Sequence, residues 1–122
     1  MLIRQLIDCQ EFIAGDGSIL RELISAGKGN FAFNYSLAHA VVKPGQETKP
    51  HQLCSSELYF ILEGEGEMHI DDESSHVHAG CTVYIPPNSK QFIKNIGRID
   101  LKFLCIVEPF WRKEDEEVKD DR

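Results

Sequence analysis

The sequence predicts a single all-β domain, an antiparallel barrel or sandwich. Three observations lead there. About eight to ten short runs, apolar or alternating, follow one another with turn signals close between them. Sustained helical periodicity is almost absent. The 122 residues suit one ordinary domain with a core of its own.

Residues 2–7 and 18–25 read as short β-like runs separated by Gly15-Asp16-Gly17. A helix over residues 19–25 is the alternative for the second, but Gly17, Gly27 and Gly29 on its flanks favour a strand. Residues 31–42 form a long strand. Phe33, Tyr35, Leu37, His39 and Val41 share one face, and Ala38, Ala40 and Val42 the other. Residues 58–62 are a continuous aromatic and aliphatic run, read as a buried strand. Gly64-Glu65-Gly66 then lets the chain bend sharply. Residues 67–70 alternate, 71–74 make a hairpin turn, and 76–78 return. A strand over 81–85 ends at Pro86-Pro87, and Asn88 suits a left-handed turn position. Residues 90–95 form another strand, 95–97 a turn, and 101–107 the last strong strand.

Beyond Pro109 the chain is charged apart from Phe110 and Trp111, and 114–122 reads as a short helix or a frayed tail. Residues 1–30 are thus N-terminal strands or an arm packing on the barrel or on a dimer partner. Residues 31–110 are the barrel, and 111–122 a charged C-terminal tail.

The charge balance narrows the partners. Net charge is -7, with acidic clusters at 71–73 and 114–121, which argues against nucleic acid and anionic membrane surfaces. No apolar run approaches the roughly 20 residues that cross a bilayer. The N-terminus carries no apolar signal-peptide core, so a cytoplasmic location is expected. Cys9, Cys54, Cys81 and Cys105 are scattered without a Cys-x-x-Cys, as buried reduced thiols would be.

One stretch carries chemistry. After the Pro44-Gly45 turn come His51, Glu57 and Gly64. An imidazole and a carboxylate flank one short turn into a strong strand, a pattern that hangs a metal pocket on a β scaffold. Leu53 stands where a second ligand would be useful.

With these residues in place, the stretch resembles the first motif of the cupins, Gly-x5-His-x-His-x3-Glu-x6-Gly. Gly45, His51, Glu57 and Gly64 match it in register. Residues 80–95 resemble the second motif, Gly-x5-Pro-x-Gly-x2-His-x3-Asn, through Gly80, Pro86 and Asn95. The resemblance implies a small jelly-roll β-barrel, often a homodimer, with three histidines and a glutamate around iron, manganese, nickel or zinc. Leu53 and Gln91 replace two of those histidines, and Asn88 replaces a glycine. Carried over, the ligand set is His51, Glu57 and Gln91, harder than the family's own.

Two readings of the pocket stay open. In one, these three residues hold a divalent transition metal (Mn, Fe, Ni or Zn). In the other, His51, Glu57, Gln91 and Tyr59 form a buried polar network that binds a small molecule without metal. Leu53 and Tyr59 line the pocket in both. His39 and Tyr35 join them if their strand face points inward. His69, His76 and His78 form a second group on the solvent side of a hairpin. Trp111 with Phe110 reads as a plug over the barrel base or a dimer contact. The functional classes are a metal-dependent enzyme of dioxygenase or isomerase type, and a non-catalytic metabolite-binding barrel. The partners are a small molecule and a second copy of the chain.

Overall fold

The computed structural model describes residues 1–119. Eleven strands form two antiparallel sheets among these residues: β1 (Glu11–Ile13), β2 (Ile19–Ser25), β3 (Ser36–Val42), β4 (His51–Gln52), β5 (Ser56–Glu63), β6 (Glu65–Ile70), β7 (Glu73–His78), β8 (Thr82–Ile85), β9 (Gln91–Asn95), β10 (Leu101–Glu108) and β11 (Glu117–Val118). The larger sheet runs β1-β2-β3-β10-β5-β8 and the smaller β11-β4-β9-β6-β7. This is the antiparallel jelly-roll architecture. The core lies between the sheets and is built from alternate residues, among them Ala40, Tyr59, Ile61, Met68, Ile93 and Phe103.

The turns follow from their residues. Gly64 has φ +90° and joins β5 to β6. A Cβ there would lie 2.7 Å from the Asp100 carbonyl oxygen, so only glycine fits. Asn88 takes φ 65° after Pro86-Pro87, and its N–H donates to the Leu53 carbonyl at 2.7 Å. Asn95 is fully buried and cross-links three segments. Its Nδ2 donates to the carbonyls of Val42 at 2.9 Å and Ile99 at 2.8 Å, and its Oδ1 accepts from the Gly97 N–H at 2.9 Å.

Three expectations need correction. Residues 2–7 hold no strand. Residues 6–8 form a 3₁₀ turn instead, and Arg21 Nη1 donates to the carbonyls of Leu6, Ile7 and Cys9, which removes acceptors a sheet would need. The strand expected over 31–42 begins only at Ser36. Ahead of it Phe31, Phe33 and Tyr35 stack on one another, with centroids 4.8 and 4.2 Å apart. The run at 58–62 is buried on one face alone. Tyr59 and Ile61 point inward, whereas Leu58, Phe60 and Leu62 are about two-fifths exposed on the outer face of the larger sheet. An antiparallel sheet needs cover on only one side, so a continuous apolar run does not require burial on both.

The C-terminal segment forms a 3₁₀ turn over residues 113–115, and then β11 pairs with β4. The part of the expected tail at 120–122 lies outside the described residues. The four cysteines are unpaired, but they are not the buried thiols expected: Cys54 is exposed and Cys9, Cys81 and Cys105 are partly exposed. No described helix is long and apolar enough to cross a membrane.

Candidate metal centre

The pocket lies against the inner face of β2, β3, β10 and β5, with His51 of β4 at its edge. His51 and Gln91 face each other across the β4–β9 pair. Both side chains are almost fully buried, as are Glu57, Tyr59 and Leu53. Inward parity on β5 carries Glu57, Tyr59 and Ile61, because residues two apart share a face.

The polar groups divide into two sets. In the first, Gln91 Nε2 donates to Glu57 Oε1, and Tyr59 Oη donates to Gln91 Oε1 at 3.0 Å. Burial raises the Glu57 carboxyl to about 7, opposed by the neighbouring His51 and by the Gln91 hydrogen bond. Burial, with the charge of Glu57 next, also holds the Tyr59 hydroxyl well above its ordinary value.

The second set centres on His51. Its Nδ1 lies 2.9 Å from the Lys49 carbonyl oxygen. That oxygen only accepts, so the ring proton sits on Nδ1 and Nε2 presents its lone pair to the pocket. Nε2 is 3.6 Å from Asp16 Oδ2, beyond a hydrogen bond. The other oxygen of Asp16 accepts from the Ser18 N–H at 2.9 Å and Ser18 Oγ at 2.7 Å, which fixes the carboxylate's direction. Glu116 completes the set: one ligand atom each from Asp16, His51 and Glu116 all lie within 4.8 Å of one another. Burial, then the charge of Asp16, raises the Glu116 carboxyl, while His51 and a hydrogen bond with Trp111 pull it down. The remaining cavity is about 40 Å³. Its wall is mostly apolar, with Phe12, Leu20, Leu53, Phe103 and Trp111 among its members.

The structure therefore brings His51, Glu57, Gln91, Leu53 and Tyr59 together, with Gln91 hydrogen-bonded to Glu57 and Tyr59 and paired across the strands with His51. His39 and Tyr35 do not reach the pocket. The small residues Ser36, Ala38 and Ala40 of β3 line it, so the opposite face points outward. His39 lies in an outer groove with Arg21, Lys43 and Lys102, and burial together with the charges of Lys102 and Arg21 lowers its pKa. Tyr35 is 39% exposed, stacked on Phe33. His69 stacks on Phe92 and pairs with Glu67 at 2.6 Å, and His76 and His78 also stand outside the pocket.

Sequence reasoning missed Asp16 and Glu116. Asp16 stands in a Gly-Asp-Gly turn, where aspartate is ordinary. Glu116 stands in an acidic run that reads as solvated. The pairing of Trp111 with the charges behind it is the one signal that the tail folds back.

A family model described as "Cupin domain" matches residues 38–107. The uncharacterized protein MJ1618 of Methanocaldococcus jannaschii is 44% identical over 110 residues, covering 88% of this chain and 86% of that one. The polyketide cyclase RemF of Streptomyces resistomycificus superposes with a TM-score of 0.79 at 20% identity, over 97% of this chain and 84% of that one. A predicted oxalate decarboxylase of Thermotoga maritima superposes with a TM-score of 0.75 at 23% identity, over 87% and 97%. At those identities the two structures share the fold and nothing further is inferred from them. Asp16 and Glu116 both lie outside the segment that the family model matches.

Proposed function

The chain belongs to the cupin family, and on that premise we propose that its barrel holds a divalent cation between Asp16, His51 and Glu116 and binds a small polar metabolite beside it. The observation that carries this reading is the convergence of two carboxylates and one correctly presented imidazole nitrogen in a buried pocket. Ligand atoms that each lie about 2.1 Å from one ion stand roughly 3 to 4 Å apart, so the 3.6 Å gap between Nε2 and Asp16 suits an ion better than a direct contact. One nitrogen and two oxygens favour Mn, Fe or Zn among the first-row metals. Two carboxylates also balance the charge of such an ion.

The bound cation would supply Lewis acidity toward a substrate oxygen. The chain's own residues do the rest. Lys49 O fixes the His51 tautomer, and Ser18 aims Asp16. Glu57, kept near neutrality by burial and held by Gln91, stores a proton at the pocket wall. The apolar lining excludes water. Dioxygenase and isomerase chemistry both fit this arrangement. The reading also includes a homodimer, with Leu58, Phe60, Leu62, Tyr84 and Ile106 on the outer face of the larger sheet as the surface between copies.

Titration of the metal-free protein with Mn²⁺ by calorimetry tests the cation. One ion should bind per chain, and Asp16→Asn, Glu116→Gln and His51→Ala should each weaken it at least about tenfold. Wild-type binding no tighter than that of His51→Ala leaves the metal-free polar network as the correct description.

A further inference from the structure

Glu116 reaches the site on a segment that the two-sheet core does not require. After β10 the chain passes the pocket, where Trp111 and Glu116 line it, and β11 pairs with β4. The Phe110 N–H donates to the Asn34 carbonyl at 2.9 Å, and the Trp111 N–H to Ser36 Oγ at 2.9 Å. The Trp111 ring lies 6.1 Å from Phe12, centroid to centroid. At the far end β11 pairs only two residues with β4, and the Lys119 N–H donates to the Pro50 carbonyl. Between these anchors the 3₁₀ turn buries no residue. A Cβ on Gly15 would stand 2.5 Å from Glu116 Oε1, so this carboxylate lies directly over the Gly15 backbone.

The segment thus has short attachments and places a carboxylate beside Asp16 in a low-dielectric pocket. Like charges there resist closure, and the resistance disappears when a cation sits between them. Trp111 and Glu116 both line the cavity, whose volume is about 40 Å³. We propose that residues 110–119 form a strap that the cation locks: occupancy of the Asp16–His51–Glu116 site holds the strap down against β4, and loss of the cation frees it. The inference rests on the cation site proposed above. Linkage makes it reciprocal, since contacts that hold the strap shut must tighten cation binding by the same factor.

The test uses the full chain, Mn²⁺ as the probe, and two readouts. Hydrogen exchange of the strap amides from Trp111 to Lys119 should slow at least about fivefold when Mn²⁺ is added, and should not respond in Glu116→Gln. Lys119→Pro removes the N–H that donates to the Pro50 carbonyl, at a residue that is none of the three ligands, and should weaken Mn²⁺ binding at least about fivefold in calorimetry. If Mn²⁺ binds but strap exchange is unchanged, or Lys119→Pro binds it as tightly as wild type, the strap is overturned and the cation site stands. If the wild type binds no Mn²⁺, both fall together.

Discussion

The segment that matches the cupin family and the two segments that flank it contribute different things. Residues 38–107 supply most of the strands and of the interior, and within them Gln91 bonds to Glu57 and Tyr59 while Asn95 bonds to three backbone groups. The flanks add little to the core, yet they bring Asp16 and Glu116 to His51. In the cation site proposed above, two of the three ligands therefore come from outside the family segment, and scaffold and proposed ligand set are carried by different stretches of one chain.

Asn95 offers the hardest test on the scaffold side. Asn95→Ala leaves two buried carbonyls and one N–H without partners, at about 1 kcal/mol or more each. A loss of about 3 to 4 kcal/mol in urea unfolding is expected, with Glu116→Gln in the flank changing the metal-free protein by far less. Equal losses in the two variants would erase the division between scaffold and flank.

Glu57 comes next, because it belongs to the motif but not to the proposed ligand set. Glu57→Gln should keep Mn²⁺ binding. It should also flatten the pH dependence of the metal-free protein. The folded carboxyl titrates near 7, against 4.5 for an ordinary glutamate, so the folded state holds the proton more tightly. Stability from this group is complete below about 4.5 and falls as the pH rises to about 7, by at most about 3 kcal/mol. Urea midpoints across that window measure it. An unchanged slope in Glu57→Gln, or lost Mn²⁺ binding, would return Glu57 to the ligand set.

His39 is the smallest effect. His39→Asn lies on the outer face, so stability should move by less than about 0.5 kcal/mol and Mn²⁺ affinity not at all. A change in affinity would place this face in communication with the pocket.

Much of the scaffold was legible. Gly64, Asn88 and the run of short strands announce their conformations through backbone sterics that act locally. The approach of Gln91 to His51 and Glu57 was legible too, through fixed spacing on paired strands. Which face of a strand turns inward was not. Alternation sorted His39 from Ala38 and Ala40 correctly, but parity carries no sign; the small side chains, which leave room for a pocket, were the unused clue. The same blindness made residues 58–62 read as buried throughout. Glu116 was hidden for a different reason. Its position depends on a two-residue strand pairing with an equally short partner, and two residues have no period to detect.

The outer stripe of Leu58, Phe60, Leu62, Tyr84 and Ile106 bears on how solutions of this protein behave. A net charge of -7 keeps molecules apart, and that repulsion reaches only about 10 Å at 0.1 M salt and about 3 Å at 1 M. The attraction between apolar stripes is not screened, and it weakens on cooling. Pairing of two copies through this stripe, as proposed above, should therefore tighten with added salt and with warmth.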